Sequence, residues 1–168
     1  ERKKKKIKRI IKFITLLLLV IAGVVFALVS PIFNITEIQV SNNNQIPTET
    51  VVSLSQLQVG QNLFRFNKNK VEKEIKTNPY IQSVTVKRKL PNKIEITVEE
   101  REKNYNVEFL NGYAYINNQG YILEISEQKL DLPVIQGIST EAEKIVEGNR
   151  LNKEDLEKLE VVIKIMNV

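Results

Sequence analysis

Carboxylates are the residues whose crowding in this chain could suggest chemistry. Glu99, Glu100 and Glu102 fall within four positions, and clustered carboxylates can divide general acid and base work or hold a cation. They end an alternating stretch, however, and successive side chains of a strand leave on opposite faces. We therefore expect solvated strand-end charges. Asp131 and Asp155 have no partner carboxylate at recognisable metal-binding spacing. Ser126-Glu127-Gln128-Lys129 has the spacing of a serine nucleophile with a lysine base, but it sits in a polar turn. The chain has no His, Cys or Trp, which removes thiol nucleophiles, His-based triads, and the usual zinc and iron-sulfur ligand sets. Its six glycines occur singly, so no phosphate-cradling loop is present. The expectation is no catalytic residue, no metal and no cofactor.

Binding residues are better candidates. Lys87-Arg88-Lys89 can be read as a phosphate or lipid patch. Alternation instead turns Lys87 and Lys89 outward with acidic residues opposite, and leaves the Arg88 stem free to cover apolar surface. Four of the five tyrosines lie between Tyr105 and Tyr121. Cross-strand packing accounts for them more simply than a carbohydrate platform does.

These residues are positioned by a chain of 168 residues, 42% apolar and 27% charged, a globular balance. Its net charge of +5 is unevenly spread. Residues 1–12 carry eight Lys/Arg against Glu1, so everything after them is mildly acidic. A domain that binds nucleic acid over its folded surface is not expected. From Phe13 to Thr36 no residue is charged. As a helix, residues 13–33 would reach roughly 31 Å, about the thickness of a bilayer's hydrocarbon core. A cleaved signal peptide is the rival, but its apolar region is shorter, and the one small-residue site here, Ser30, precedes Pro31. The first basic residue after the run is Arg65. The charge bias thus predicts a cytoplasmic tail over 1–12, a membrane anchor over 13–33 and an exported remainder.

Residues 34–102 read as strand, helix, helix, strand, strand. Ile38 and Val40 alternate with polar neighbours; Pro47-Thr48-Glu49 opens a helix carrying Val51, Leu54 and Leu57, stopped by Gly60; Asn67 or Asn69 caps a second helix with Val71 and Ile75 one turn apart. Val84 and Val86, then Ile94, Ile96 and Val98, alternate in two strands that must share a core. A two-residue Pro91-Asn92 loop would put the valines opposite the charged face. Parity forbids that. The prediction is a loop of Pro91-Asn92-Lys93, pairing Leu90 with Ile94 and Val86 with Val98, with Asn92 or Lys93 near left-handed geometry. Residues 103–168 read as three short antiparallel strands (Tyr105 to Phe109, Tyr113 to Ile116, Tyr121 to Ile125) with an Asn111-Gly112 turn. An extended segment over 131–137 and a helix from Asn152 to about Met166 follow.

Three blocks carry a resemblance: Phe33 to Ser41, Gly60-Gln61-Asn62-Leu63-Phe64 and, above all, Asn78-Pro79-Tyr80-Ile81-Gln82-Ser83-Val84 through Leu90-Pro91-Asn92-Lys93-Ile94 to Arg101. Together they resemble the POTRA domain of the bacterial division proteins FtsQ and DivIB, and residues 103–166 are similar to the start of that family's β-domain. The fold class implied is α+β: one transmembrane helix, a βααββ POTRA domain, then a partial antiparallel β-domain with a C-terminal helix. In the family the β-domain continues with strands that contact partners, so a piece of a longer protein is expected. The resemblance implies a non-enzymatic scaffold of the divisome at the septal membrane. Its implied partners are the single-span division proteins FtsL and DivIC (or FtsB), beside the lipid bilayer and without nucleic acid or a small-molecule substrate. In a βααββ unit the strand over 82–89 is expected at a sheet edge, which makes Thr85, Val86, Lys87, Arg88 and Lys89 the candidate partner-binding residues. Two rivals are a POTRA chaperone for exported polypeptides and the anchor region of a cell-wall enzyme.

Overall fold

The computed structural model describes residues 2–110 and 112–166. Asn111, half of the expected turn signal, lies outside them. The chain opens with helix α1, Arg2–Val29. It incorporates the basic tail and stops four residues before Phe33, because the Ser30 hydroxyl caps a short 3₁₀ turn that begins at Pro31. Lys6–Val29 is long and apolar enough to cross a membrane, and none of it is buried by the rest of the chain.

Strand β1 (Glu37–Ser41), helices α2 (Thr48–Ser55) and α3 (Lys68–Ile75), and strands β2 (Ile81–Lys89) and β3 (Lys93–Glu100) follow. The sheet order is β1-β3-β2, with β1 parallel and β2 antiparallel to the central β3. Val51, Val71 and Ile75 from the helices meet Val84, Val86, Ile94, Ile96 and Val98 in one core. Asn67 caps α3, its carboxamide oxygen accepting from Lys70 N–H at 3.2 Å. Helix α2 ends earlier than the expected Gly60. Gln56 already has φ +56°, and the Ser55 hydroxyl donates back to Val52 O and accepts from Leu57 N–H. Leu57 stays in the core although it has left the helix.

The β2–β3 turn has three residues but is shifted by one. Lys89 faces Lys93, Val86 faces Ile96 and Val84 faces Val98, so Leu90-Pro91-Asn92 forms the loop. Parity allows register to change only in steps of two, and both registers set valines against β3's apolar residues, so the pattern could not choose between them. Neither Asn92 nor Lys93 is left-handed, and the Leu90–Pro91 bond is cis. Lys89 still reaches Glu95, at 3.2 Å.

The second unit holds β4 (Tyr105–Phe109), β5 (Gly112–Ile116), β6 (Ile122–Ser126), β7 (Val134–Ile135) and helix α4 (Lys153–Met166), with sheet order β6-β5-β4-β7. It is not wholly antiparallel. The extended segment after Asp131 adds β7 parallel to β4, because the buried Asn106 donates to Leu130 O and Leu132 O and accepts from Leu130 N–H. Gly120, at φ +78°, turns the chain where a Cβ would collide with Leu156 of α4. Tyr105 and Tyr115 are buried, in keeping with packing.

Candidate interaction surface

Strand β2 has β3 as its ladder neighbour on one side and lies at the edge of the sheet. All five candidate residues, Thr85 to Lys89, are on it. In an antiparallel pair, residues whose N–H and C=O meet the partner alternate with residues whose groups point away. Val86 N–H donates to the Glu72 carboxylate of α3 at 2.8 Å, so Val86, with Val84 and Arg88, carries the outward-pointing amides. Thr85 and Lys87 spend theirs on β3, while their side chains are exposed. Two features narrow this edge. Glu72 occupies the Val86 amide from the side an added strand would approach. Arg88 folds back, donating to Leu63 O at 2.8 Å and Phe66 O at 2.9 Å with its guanidinium 4.4 Å from the centre of the Phe66 ring. Arg88 therefore secures the loop before α3, whereas Thr85, Lys87 and Lys89 present side chains to solvent. No local pattern marks Glu72, since its partner lies 14 positions away and sits beyond a turn.

The glutamate cluster is not simply solvated. The Glu100 carboxylate accepts three backbone N–H groups, from Asn44, Gln45 and Ile46 at 2.8 to 3.1 Å, and so orders the loop leading into α2. Glu99 accepts from the Ser83 hydroxyl and the Gln82 amide. Both roles satisfy neighbouring donors, and neither leaves a carboxylate pair aimed at a substrate. Ser126 accepts from Gln128 N–H within its own turn. Among the described residues no group of three or more acidic side chains could hold a metal ion.

The two units meet through residues that the sequence reading did not pair. Tyr80, just before β2, donates its hydroxyl to Glu124 of β6 at 2.5 Å, and Lys103 donates to the same oxygen at 2.6 Å. Hydrogen bonds from Lys103 and then Tyr80 hold the Glu124 carboxyl below its usual range. Burial, then Glu124, pushes the Tyr80 phenol up. For Lys103 burial acts downward, but bonding to Glu124 and Tyr80 outweighs it and the ammonium is favoured. Arg101 adds bonds to Pro79 O and Ile81 O, both 2.7 Å, and lies 4.1 Å from the centre of the Tyr121 ring. The result is a charged joint between the units.

A second joint ties the first unit to α1. Asn62 donates to Ala27 O in the last helical turn at 3.0 Å, Leu63 N–H donates to Phe33 O at 2.8 Å, and Phe33 stacks edge-on between Phe26 and Phe64. Phe33 and Phe64 stand in two of the blocks that carry the resemblance, which is the signal that could have paired them.

Comparison with known proteins agrees with this geometry. The family model "POTRA domain, FtsQ-type" matches residues 33–101. Cell division protein DivIB of Clostridium botulinum is 35% identical over 98% of this chain and 63% of its own length. Cell division protein FtsQ of Syntrophotalea carbinolica is 33% identical over 77% of this chain and 45% of its own. Cell division protein DivIB of Bacillus subtilis is 30% identical over 79% and 47%. The chain thus spans less than two thirds of the length of these relatives. Its first unit matches the FtsQ-type POTRA domain, and nearly the whole chain is similar to proteins named for cell division.

Proposed function

We propose that this chain is a member of the FtsQ/DivIB family and the membrane-anchored portion of a divisome scaffold, with residues 1–12 cytoplasmic, 13–33 as the anchor, 34–102 as the POTRA domain and 103–168 opening a β-domain. The observation that carries the reading is homology to proteins named for cell division along 98% of the chain. The basic tail supports the orientation, since eight Lys/Arg precede the apolar helix and none follows before Arg65. The protein works by association and turns over no substrate. Its partners are other division proteins, FtsL and DivIC or FtsB, gathered at the septum. Confinement to a membrane raises the effective concentration of anchored partners, so weak contacts suffice.

Within the POTRA domain, the β2 edge recruits an extended segment of a partner by strand addition, with Thr85, Lys87 and Lys89 reading its side chains. Depletion of the protein with a tagged copy supplied tests the general reading: filamentous cells and midcell fluorescence are expected, and normal division with uniform membrane fluorescence overturns it. The absence of native cysteine makes the edge testable separately. Single cysteines at 85, 87 and 89 are expected to crosslink to a partner carrying cysteines at every second position. Crosslinking that ignores this two-residue period would rule out strand addition.

A further inference from the structure

Where α1 ends, the POTRA domain presents a tight turn, Asn62 to Arg65, against the last turn of the helix. We propose that this turn is a second membrane contact, seated in the interface of the exported leaflet beside the exit of α1. Phe64 and Ile32 would lie at the boundary of acyl chains and headgroups, with Arg65 at the lipid phosphates. The proposal rests on the reading that Lys6–Val29 spans the bilayer.

Three observations carry it. First, the turn is held against the end of the helix and the 3₁₀ turn that follows it. Asn62 is bonded to Ala27 O, and Leu63 N–H to Phe33 O, so the turn sits at the depth of the last helical residues. Second, apolar surface runs without a break from the span onto the domain. Phe26 contacts Phe33 at 6.3 Å between ring centres and Phe33 contacts Phe64 at 5.3 Å. Phe64 remains 38% exposed at the turn, and Ile32, next to Phe33 in the 3₁₀ turn, 58%. Exposed apolar side chains continuous with a membrane-facing helix find in the bilayer interface the burial that the fold does not provide. Third, the chemistry changes where the interface should end. Arg65, exposed and next in sequence, is the first basic residue after the span, and its guanidinium suits phosphate.

The rest of the fold leads away from this point. β1 leaves the end of α1, β3 runs parallel to it, and the second unit follows β3. The second unit is therefore distal. The alternative occupant is another protein lying against the helix exit, and it makes a different forecast in vesicles that contain this chain alone.

The chain has no tryptophan, so one substitution gives one probe. Full chain carrying Phe64→Trp, Ile32→Trp, Leu19→Trp or Val161→Trp is reconstituted in phosphatidylcholine and phosphatidylglycerol vesicles without bromolipid, with lipid brominated near the headgroup, or with lipid brominated deep in the acyl chains. Fluorescence of the Phe64→Trp and Ile32→Trp proteins is expected to fall about twofold with bromolipid and to resist aqueous iodide. Val161→Trp, in α4, is expected to do the opposite. Leu19→Trp, within α1, should be quenched by deeply brominated lipid. If both interfacial probes answer to iodide and ignore bromolipid while Leu19→Trp is quenched, the inference is overturned and the anchor stands. If Leu19→Trp also ignores lipid, the spanning reading falls and takes the inference with it. Probes at 32 and 64 shielded from both quenchers would also overturn it, by placing the turn against protein.

Discussion

The POTRA domain and the second unit are similar in size, yet they meet the cost of irregular backbone differently. The first closes on a continuous apolar core fed by two helices and three strands, and its loops are tied down from the rim by Glu100 and Arg88, with Ser55 and Asn62 the buried polar residues that assist. In the second, β4 to β6 pack on a smaller apolar set, and the chain from Ser126 to Asn152 is almost without regular structure. Its amides and carbonyls go to side chains inside the fold. Asn106, Asn117 and Asp155 are all buried. Asp155 alone accepts from the backbone and hydroxyl groups of Ser139 and Thr140, at 2.5 to 3.0 Å. An element held by apolar area tolerates loss of any one polar contact. One held by a few buried polar groups depends on each of them.

That contrast can be broken by substitution, with hydrogen exchange reading each unit separately in detergent. The largest effect is expected for Ile96→Ala at the centre of β3. It should cost about 4 kcal/mol and release the POTRA amides while β4 to β6 stay protected. Next is Asp155→Ala, which should cost about 3 kcal/mol and open the 139–152 segment and α4 while leaving β2 and β3 protected. Asp155 also carries a pH signature. Burial alone would push its carboxyl up, but the Thr140 and Ser139 bonds win and hold it below the ordinary value. A lowered folded value means that its stabilisation is complete above about pH 3.9 and is lost as pH falls through the folded value. Acid should therefore loosen the second unit of the native protein below about pH 3.9, and the Asp155→Asn protein should have lost this dependence. Should both units respond equally to either substitution, the contrast fails.

Smaller effects sharpen the comparison at the joints. Tyr80→Phe removes one bond to Glu124 and is expected to cost about 1 kcal/mol, seen as wider separation of spin labels across the units with protection inside each unchanged. The smallest is Glu72→Gln. It keeps an acceptor near Val86 but loses the charge, so only the Val86 amide should exchange faster, by about threefold.

The same contrast explains what was legible from the sequence. Alternation in β2 and β3, the Asn67 cap and the apolar helix faces are local patterns, and they placed the POTRA elements. Parity fixed which faces pair but left register free by two residues. The end of α2 was missed because Ser55 and Gln56 carry no breaker signal of the kind Gly60 has. β7 and the roles of Asp155 and Asn106 depend on contacts 15 to 26 residues apart, which no periodicity records. The Tyr80–Glu124 bond joins positions 44 apart. Residues Thr85 to Lys89 could be assigned to an edge from the order of elements, whereas which of their amides point outward became readable only through Glu72.

The bond from Asn62 to Ala27 has a mechanical corollary. Because this bond and the Phe26–Phe33–Phe64 stack join the rod formed by α1 to the body at more than one point, a sideways tug on that body is passed in part to the rod. It becomes a torque that tilts the rod. If α1 spans a bilayer as proposed, the pair forms a lever whose short arm lies in the lipid.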